Sequence, residues 1–282
     1  MANVPLLQLD DGNSIPQLGF GTFKIPDEDT ARAVSVALEV GYRHIDTAQM
    51  YRNEAGVGEA VRTSGLPREE IFVTSKLNNP YHRPDHAREA FDRSLDSLGF
   101  DYLDLVLIHW PLPMHYDGDF VSTWEVMEEF RQSGRVRSIG VSNFEIAHLQ
   151  ALADAGLSKP VVNQIEAHPY LRNDEVRAYC REQDILVQAW SPIAKGQVLA
   201  DPVVVELARR VGRTPAQVVL RWHVQRGDIV LPKSVTDERV RENFAIFDFE
   251  LDSEDMAAID SLERGEEGRT GPHPDRMDRL NS

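Results

Sequence analysis

The chain has 282 residues, of which 41% are hydrophobic and 27% are charged, and its formal net charge is −16. We expect a single domain over residues 1–282 with one sizeable core, because α/β barrels of this size are commonly single domains. The large negative charge disfavours nonspecific binding to nucleic acid and to anionic membranes.

The single cysteine, Cys180, excludes an intrachain disulfide and any cysteine-rich zinc site. The first residues, MANVPLLQLDDG, lack the basic segment followed by an apolar segment that is typical of a signal peptide. No apolar run approaches the roughly 20 residues of a membrane-spanning helix. We therefore expect a cytoplasmic protein in a reducing compartment.

Two apolar segments, Leu6–Leu9 and Ile15–Gln17, flank Asp11-Gly12, which predicts a β-hairpin that could cover the bottom of the fold. Short runs rich in Val, Ile and Leu follow, as expected for strands that are buried on both faces. The predicted strands are Gly19–Gly21, His44–Asp46, Ile71–Ser75, Leu103–Ile108, Ser138–Val141, Val161–Glu166, Leu186–Trp190 and Ile229–Leu231.

Amphipathic segments alternate with these strands and predict helices, several of which begin with proline or acidic residues. They are Asp27–Glu39, Glu54–Thr63, Pro84–Ser97, Ser122–Gln132, Glu145–Ala155, Asn173–Gln183, Pro202–Arg210 and Pro215–Gln225. This alternation predicts a parallel sheet and favours a closed (β/α)8 TIM barrel over an open sheet. Two extra helices are predicted near Asp237–Phe244 and Ser253–Leu262, and a loop from Glu263 to Ser282.

Chemically active side chains stand at or just after the C-terminal ends of the predicted strands. They are Asp46, Lys76, His109, Ser142, Asn143, Gln164, Trp190, Ser191, Lys233 and Ser234. The loops that follow the strands build the active site at this face of α/β barrels. The repetition around the ring therefore predicts a functional site.

Asp46, Tyr51, Lys76 and His109 supply the parts of a proton donor for a carbonyl oxygen. A free tyrosine has a pKa near 10, and a neighbouring ammonium lowers it. We expect Lys76 to supply that charge, Asp46 to hold Lys76, and His109 to point an N–H at the substrate. Trp110 would keep the pocket dry and strengthen these interactions.

Carbonyl reduction also needs a hydride, which no side chain delivers, so a nicotinamide or a flavin is required. The chain has neither a GxGxxG nor a GxxxxGK[ST] phosphate loop. Instead, Lys233, Ser234, Arg239 and Arg241 form a basic and hydroxyl cluster after the eighth predicted strand. Barrel phosphate sites favour this position and the start of a nearby extra helix.

Three long segments, in this order, resemble the signatures of the aldo-keto reductase family. They are GYRHIDTAQMYRNEAGVG at 41–58, RSIGVSNF at 137–144 and LPKSVTDERVRENFAI at 231–246. The resemblance covers essentially the whole chain, and GPHPD at 271–275 is similar to the prokaryotic branch that includes 2,5-diketo-D-gluconate reductases. It implies a monomeric, NADPH-dependent reductase of aldehydes and ketones, with NADH the weaker cofactor.

The resemblance also implies roles for individual residues. Tyr51 would be the general acid, Lys76 and Asp46 would tune it, and His109 would orient the carbonyl. The implied cofactor contacts are Ser142, Asn143 and Gln164 at the carboxamide, Trp190 at the nicotinamide, Ser191 and Leu199 near the pyrophosphate, Lys233, Ser234, Val235 and Arg239 around the 2′-phosphate, and Glu242 and Asn243 at the adenine. The implied substrate pocket contains Phe23, Met50, Asn78 and Trp110.

Some positions depart from the commonest family pattern. Many relatives carry tryptophan where Phe23 and Asn78 stand, so we expect a less aromatic pocket. Many carry tyrosine where Trp190 stands, and either ring can stack on a nicotinamide. The segment Ser191–Pro202 is short, which implies easier release of the cofactor.

Alternatives remain at this stage. Each site residue alone could be structural, for example Asp46 as a turn residue or Ser142 and Asn143 as caps of the next helix. An NADPH-binding redox sensor without catalysis is disfavoured by the complete set of four residues. A hydrolase or isomerase would need paired carboxylates or metal ligands, and no metal is expected at His82 and His86. The residue types of loops 111–122 and 263–282 do not name the substrate, which could be methylglyoxal, another dicarbonyl or a sugar-derived ketone.

Overall fold

A computed structural model describes residues 4–280, so the last two residues of the predicted C-terminal loop lie outside the described part. An antiparallel hairpin, β1 (Leu6–Gln8) and β2 (Ser14–Pro16), precedes the main sheet. The remaining strands are β3 (Phe20–Gly21), β4 (His44–Asp46), β5 (Phe72–Leu77), β6 (Leu103–Ile108), β7 (Val136–Ser142), β8 (Val162–Glu166), β9 (Leu186–Trp190) and β10 (Ile229–Val230). They form one eight-stranded sheet in chain order, with every pair parallel.

The first and last strands of this sheet meet along a short seam. Leu18 pairs in parallel with Val230, and Gly19 N donates to Val230 O at 3.0 Å. Gly21 N donates to Pro232 O at 3.1 Å on the same seam. The sheet therefore closes into the (β/α)8 barrel that the alternation of elements predicted.

Helices cover the outside of the barrel. They are α1 (Asp27–Val40), α2 (Glu54–Thr63), α3 (Pro84–Leu98), α4 (Val121–Gln132), α5 (Ile146–Asp154), α6 (Asp174–Glu182), α7 (Pro202–Val211), α8 (Pro215–Gln225), α9 (Asp237–Phe244) and α10 (Ser253–Asp260). A large apolar cluster lies between these helices and the sheet, with Trp124 and Phe91 among its largest buried side chains. Within residues 4–280 no helix is long and apolar enough to cross a membrane.

The hairpin covers the amino ends of the strands, as expected. Asn13 Nδ2 donates to Arg137 O and to Ser138 Oγ at the start of β7. Leu9 and Ile15 pack in a buried cluster with apolar side chains of β6, β8 and β10. This cluster closes the bottom of the barrel, and we call the opposite end the mouth.

At two helix starts, serine or asparagine side chains that could cap the helix form hydrogen bonds elsewhere. Asn173 does not cap α6 with its side chain, because its φ is 53° and its Nδ2 donates to Glu166 O at 2.7 Å. Ser142 and Asn143 do not cap α5, because Glu145 is the N-cap residue and forms a capping box with His148. The Asn173 amide is thereby bonded to the end of β8, and the Ser142 and Asn143 side chains stand at the end of β7 without capping a helix.

The predicted C-terminal loop contains two short 3-10 turns, Gly265–Gly268 and Pro274–Arg276, and is otherwise irregular. We call residues 264–280 the C-terminal segment. Met277 of this segment is buried in a cluster with Trp110 and Leu112, which follow β6. The segment therefore lies across the mouth.

Candidate active site

A buried ion pair lies at the mouth ends of β4 and β5. Lys76 Nζ donates to Asp46 Oδ1 at 2.6 Å and to Thr47 O at 2.8 Å. Its side chain is 0% exposed. Burial lowers the pKa of Lys76, while the charges of Asp46 and Glu54 act in the opposite direction. Lys76 is the fifth residue of β5 rather than the residue after it, because β5 continues to Leu77.

Tyr51 lies over this pair. It ends a 3-10 turn, Gln49–Tyr51, that follows β4. Lys76 Nζ is 5.0 Å from the centroid of the Tyr51 ring, and the His109 ring stands edge-on at a centroid distance of 5.7 Å. The structure therefore brings together the four residues that the sequence pointed to.

The pKa of the Tyr51 phenol moves against the sequence prediction. We predicted that Lys76 would lower it, but burial and then the negative charge of Asp46 raise the pKa of Tyr51 well above its ordinary value. The largest cause is burial of the phenol, and the Lys76 ammonium is directed to Asp46 and Thr47. The phenol consequently stays protonated, which is the state that a proton donor requires.

His109 follows β6, and its backbone N donates to Leu77 O at 3.3 Å. Burial, and then the positive charges of Lys76 and His82, lower its pKa well below the ordinary value for histidine. His109 is therefore a neutral imidazole with a single N–H. Its Nδ1 is buried and has no hydrogen-bond partner among the described residues.

Gln164, on β8, is joined to the ion pair. Its Nε2 donates to Asp46 Oδ2 at 2.8 Å and to Gln188 Oε1 at 2.9 Å. Because an amide nitrogen has two donors, only its Oε1 remains for a ligand. Ser142 Oγ donates to Gln164 O at 3.0 Å, so Ser142 lies beside it.

Asn143 connects the ends of three strands. Its Nδ2 donates to His109 O at 2.9 Å and to Ser142 Oγ at 3.0 Å. Its Oδ1 accepts from Trp190 Nε1 at 2.8 Å. Asn143 adopts φ 63°, a left-handed conformation that asparagine tolerates better than most residues. Asn143 thereby links the Trp190 indole to the backbone of His109.

The basic loop follows β10, as expected. Lys233 and Arg239 are exposed, and neither forms an ion pair with another residue of 4–280. Ser234 Oγ accepts from Thr236 N at 3.1 Å and shapes the turn before α9. Two uncompensated cations at the start of a helix suit the chemistry of a phosphate.

The remaining predicted cofactor residues are Ser191, Leu199, Val235, Glu242 and Asn243, and they form fewer contacts with the residues described above. Ser191 follows β9 with φ 50°, and Leu199 is half-buried in a cluster beneath it. Val235 is partly exposed in the basic loop, and Asn243 is buried. Glu242 already accepts a hydrogen bond from Thr214 Oγ1 at 2.5 Å, which occupies one of its carboxylate oxygens.

Four predicted pocket residues surround the mouth. The Phe23 ring is 49% exposed and stands 5.0 Å from the Tyr51 ring. Trp110 is buried, and Met50 and Asn78 are half-buried. Sequence reasoning missed Met277, which packs against Trp110 from the C-terminal segment. Its only signal in the sequence was an apolar residue in a polar tail.

The fold and the arrangement of its mouth define the class of the protein as a (β/α)8-barrel oxidoreductase. The model of the Aldo/keto reductase family matches residues 17–264, and the chain belongs to this family. The family predicted from the three signatures is therefore confirmed.

The chain is similar to named bacterial proteins over nearly its full length. An aldo-keto reductase of Mycolicibacterium smegmatis is 52% identical over 270 residues, which are 96% of this chain and 97% of the relative. The methylglyoxal reductase DkgA of Salmonella typhimurium is 47% identical over 282 residues, with 98% and 99% coverage. A solved structure of a Gox0644 mutant in complex with NADPH has a TM-score of 0.94 at 42% identity and covers 99% of this chain and 100% of that chain.

These findings identify the chain as an NADPH-dependent aldo-keto reductase. The residues present fit this cofactor, because unpaired Lys233 and Arg239 provide cations for a phosphate and Gln164 retains a free amide oxygen. Within residues 4–280 no group of three or more His, Cys, Asp or Glu side chains is arranged to hold a metal ion.

Proposed function

We propose that this protein reduces small carbonyl compounds, with dicarbonyls such as methylglyoxal as the first substrates to test, and that Tyr51 is the general acid. The observation that carries the proposal is the buried Lys76–Asp46 pair against the Tyr51 ring, beside a neutral His109. The methylglyoxal reductase name of relatives at 47% identity supports the substrate class.

The nicotinamide of NADPH supplies a hydride to the carbonyl carbon when it is bound. Tyr51 donates its proton to the carbonyl oxygen as negative charge develops there. The Lys76 ammonium, held by Asp46, then stabilises the phenolate that remains. The His109 N–H orients the carbonyl oxygen toward the phenol. Catalysis by these groups is largest in a dry pocket, which Trp110 and Met277 help to form.

The cofactor contacts form a further part of the proposal. Ser142, Asn143 and Gln164 would meet the carboxamide, and Trp190 would stack on the nicotinamide ring. Asn143 acts mainly through Trp190 and His109, since both of its N–H donors are already used. Lys233, Ser234 and Arg239 would bind the 2′-phosphate, which NADH lacks, so a preference for NADPH follows. Ser191, Leu199, Val235, Glu242 and Asn243 would complete the cofactor site.

Tyr51→Phe tests the chemistry. The change removes the hydroxyl and keeps the ring, so we expect the turnover of methylglyoxal to fall at least about a hundredfold, a typical contribution of general acid catalysis. NADPH affinity should stay within about twofold, because the lost hydroxyl acts on the substrate oxygen. Turnover is followed by the absorbance of NADPH, and affinity by the quenching of protein fluorescence.

Phe23→Leu is a comparison variant: it changes an aromatic pocket neighbour of Tyr51 without removing an acid, so it measures what altered packing alone does to turnover. Near-normal turnover in Tyr51→Phe would contradict the assignment. NADPH binding without turnover of methylglyoxal, phenylglyoxal or a diketo sugar acid by the wild type would favour a non-catalytic sensor.

The proposal extends to the state of the protein. We propose one domain over residues 1–282, a monomer and a cytoplasmic setting, and the composition of the chain supports this proposal. Light scattering of the purified protein tests the monomer directly.

A further inference from the structure

A buried carboxylate outside the catalytic group binds the C-terminal segment. Glu166 ends β8, and its Oε1 accepts hydrogen bonds from Thr270 N at 2.7 Å and from Thr270 Oγ1. Gly271 N donates to both carboxylate oxygens, at 3.2 Å and 3.0 Å. One side chain of the barrel therefore holds two consecutive residues of a segment about a hundred positions later in the chain.

The charge of Glu166 is stabilised where it stands. The side chain is fully buried, and His168 Nε2 lies 3.1 Å from Oε1. Burial by itself raises the pKa of a carboxyl, but the hydrogen bonds from His168 and Thr270 outweigh it and lower the pKa of Glu166. Glu166 is therefore an ionised acceptor at neutral pH, and hydrogen bonds to a charged group are the stronger kind.

The residues held by Glu166 touch the candidate active site. A Cβ placed on Gly271 would lie 2.4 Å from Trp190 Cη2, so the Gly271 backbone packs directly against the indole. Six residues later, Met277 packs in the cluster with Trp110 and Leu112. The same segment thus contacts the ring proposed for the nicotinamide and the wall proposed for the substrate.

Other contacts of the C-terminal segment are weaker anchors. They include Lys195 Nζ to Thr270 O, His148 Nε2 to Asp275 Oδ1, His115 Nε2 to Asp278 O, Asn79 Nδ2 to Arg279 O, Arg264 N to Tyr170 O and the Arg264–Asp201 ion pair. The Lys195 side chain is exposed and the Asn79 bond is neutral, and such bonds contribute less than a buried bond to a charge. Glu166 is the one fully buried carboxylate in this set of contacts.

We propose that Glu166 is a positioning residue that holds residues 264–280 over the mouth and thereby determines the affinity for the carbonyl substrate rather than the rate of the chemical step. The inference rests on the proposed function, since it concerns the substrate of that same site. Among the described residues, the hydrogen bonds of the Glu166 carboxylate go to Thr270, Gly271 and His168, and none goes to the four residues proposed for catalysis.

Two variants from opposite ends of the contact test this role. Glu166→Gln keeps the shape and removes the charge, and Thr270→Val removes one donor from the segment without altering the barrel. Thr270→Ser keeps the hydroxyl and is the matched control. The measurements are KM and kcat for methylglyoxal at saturating NADPH, and hydrogen exchange at the amides of Thr270 and Gly271.

We expect KM to rise about tenfold in Glu166→Gln and about threefold in Thr270→Val, with kcat within about twofold of wild type. The Thr270 and Gly271 amides should exchange faster in both variants, while Thr270→Ser should behave like the wild type. If Glu166→Gln does not fold, Thr270→Val alone carries the test.

The inference would be overturned if both variants showed the same amide exchange and the same KM as the wild type. It would also be overturned if kcat fell while KM stayed unchanged. Absence of turnover in the wild type would instead sink the proposed function, and the substrate role with it. Exchange at Thr270 and Gly271 would still decide whether Glu166 anchors the segment, so the two failures are distinguishable.

Discussion

At the scale of single residues, the site works through the protonation states that burial imposes. Tyr51 is kept as a phenol and His109 as a neutral imidazole, and in both cases burial is the largest cause. Each group is thus held in the form that donates a hydrogen bond. In the mechanism that we propose, the Lys76–Asp46 pair provides the charge that stabilises the phenolate after the proton has left.

The lowered pKa of His109 predicts a pH profile. An ordinary histidine has a pKa of about 6.5. When the pKa is lower than this, the imidazole is already mostly neutral at pH 6.5. We therefore expect kcat/KM for methylglyoxal to show no limb near pH 6.5, because His109 does not titrate there. The prediction would be wrong if the pH profile of kcat/KM showed a limb near pH 6.5 that is lost in His109→Asn. The same limb would have to remain in His115→Asn and His273→Asn, which change histidines elsewhere. Steady-state kinetics at constant ionic strength provide the measurement.

The sequence predicted which residues meet at the site but not how they titrate. Asp46, Tyr51, Lys76 and His109 could be found because each follows or ends an apolar run. The direction of the Tyr51 pKa shift could not, because its largest cause is burial, followed by the charge of Asp46. The burial of the ring and its position relative to Asp46 exist only in the folded barrel.

At the scale of elements, the strand ends are joined by side chains as well as by backbone pairing. Asn143, just after β7, links His109 after β6 to Trp190 at the end of β9. Its left-handed conformation lets the chain turn sharply there while the amide faces both neighbours. The relative placement of imidazole and indole therefore depends on one residue.

Two substitutions at this position separate its backbone from its side chain. Asn143→Ala loses the hydrogen bonds and places alanine at a positive φ, so we expect a loss of about 2–4 kcal/mol in unfolding free energy. Asn143→Gly loses the same bonds but tolerates the conformation, and should be about 1 kcal/mol more stable than the alanine variant. Urea unfolding followed by circular dichroism measures both. Equal stability of the two variants would show that the conformation carries no cost.

Helix starts were predicted better than strand ends. Pro84, Pro202 and Pro215 occupy first-turn positions as expected, because proline fixes the backbone where its missing N–H costs nothing. β5, by contrast, extends to Leu77 because Leu77 pairs with Ile108 of β6. Such pairing depends on a partner strand that lies far along the chain, so the local pattern could not show it.

At the scale of the whole molecule, the barrel depends on how closely its first and last strands approach. A Cβ on Gly19 would lie 2.6 Å from Leu231 Cδ2 and 2.7 Å from His44 Nδ1. Neither neighbour is free to move far, since His44 is fully buried and bonded to Thr74 Oγ1. The seam therefore requires a residue without a side chain.

Gly19→Ala tests this seam. Overpacking of this kind costs about 1–3 kcal/mol, and we expect the unfolding free energy to fall by that amount. Gly21→Ala is the control on the same seam, because its nearest contact would be Leu231 O at 3.3 Å, and it should cost clearly less. Urea midpoints of the two variants decide the matter, and a smaller cost at Gly19 than at Gly21 would contradict the prediction.

The number and order of the barrel strands could be predicted, because each strand and helix is a local pattern. The course of the C-terminal segment could not. Glu166 and Thr270 meet across the mouth through contacts that no periodicity records, and Met277 was missed for the same reason. The path of a segment without regular structure is set by single contacts with residues far away in the sequence.

The two ends of the described chain lie at opposite ends of the barrel, because the hairpin is at the bottom and the C-terminal segment is at the mouth. Val4 precedes the hairpin, and Leu280 packs near Trp110 and Met277. A surface tether or a fused partner protein attached before Val4 leaves the entrance open to solvent. The same attachment after Leu280 would stand beside the entrance, so immobilisation for a flow reactor should use the amino-terminal side.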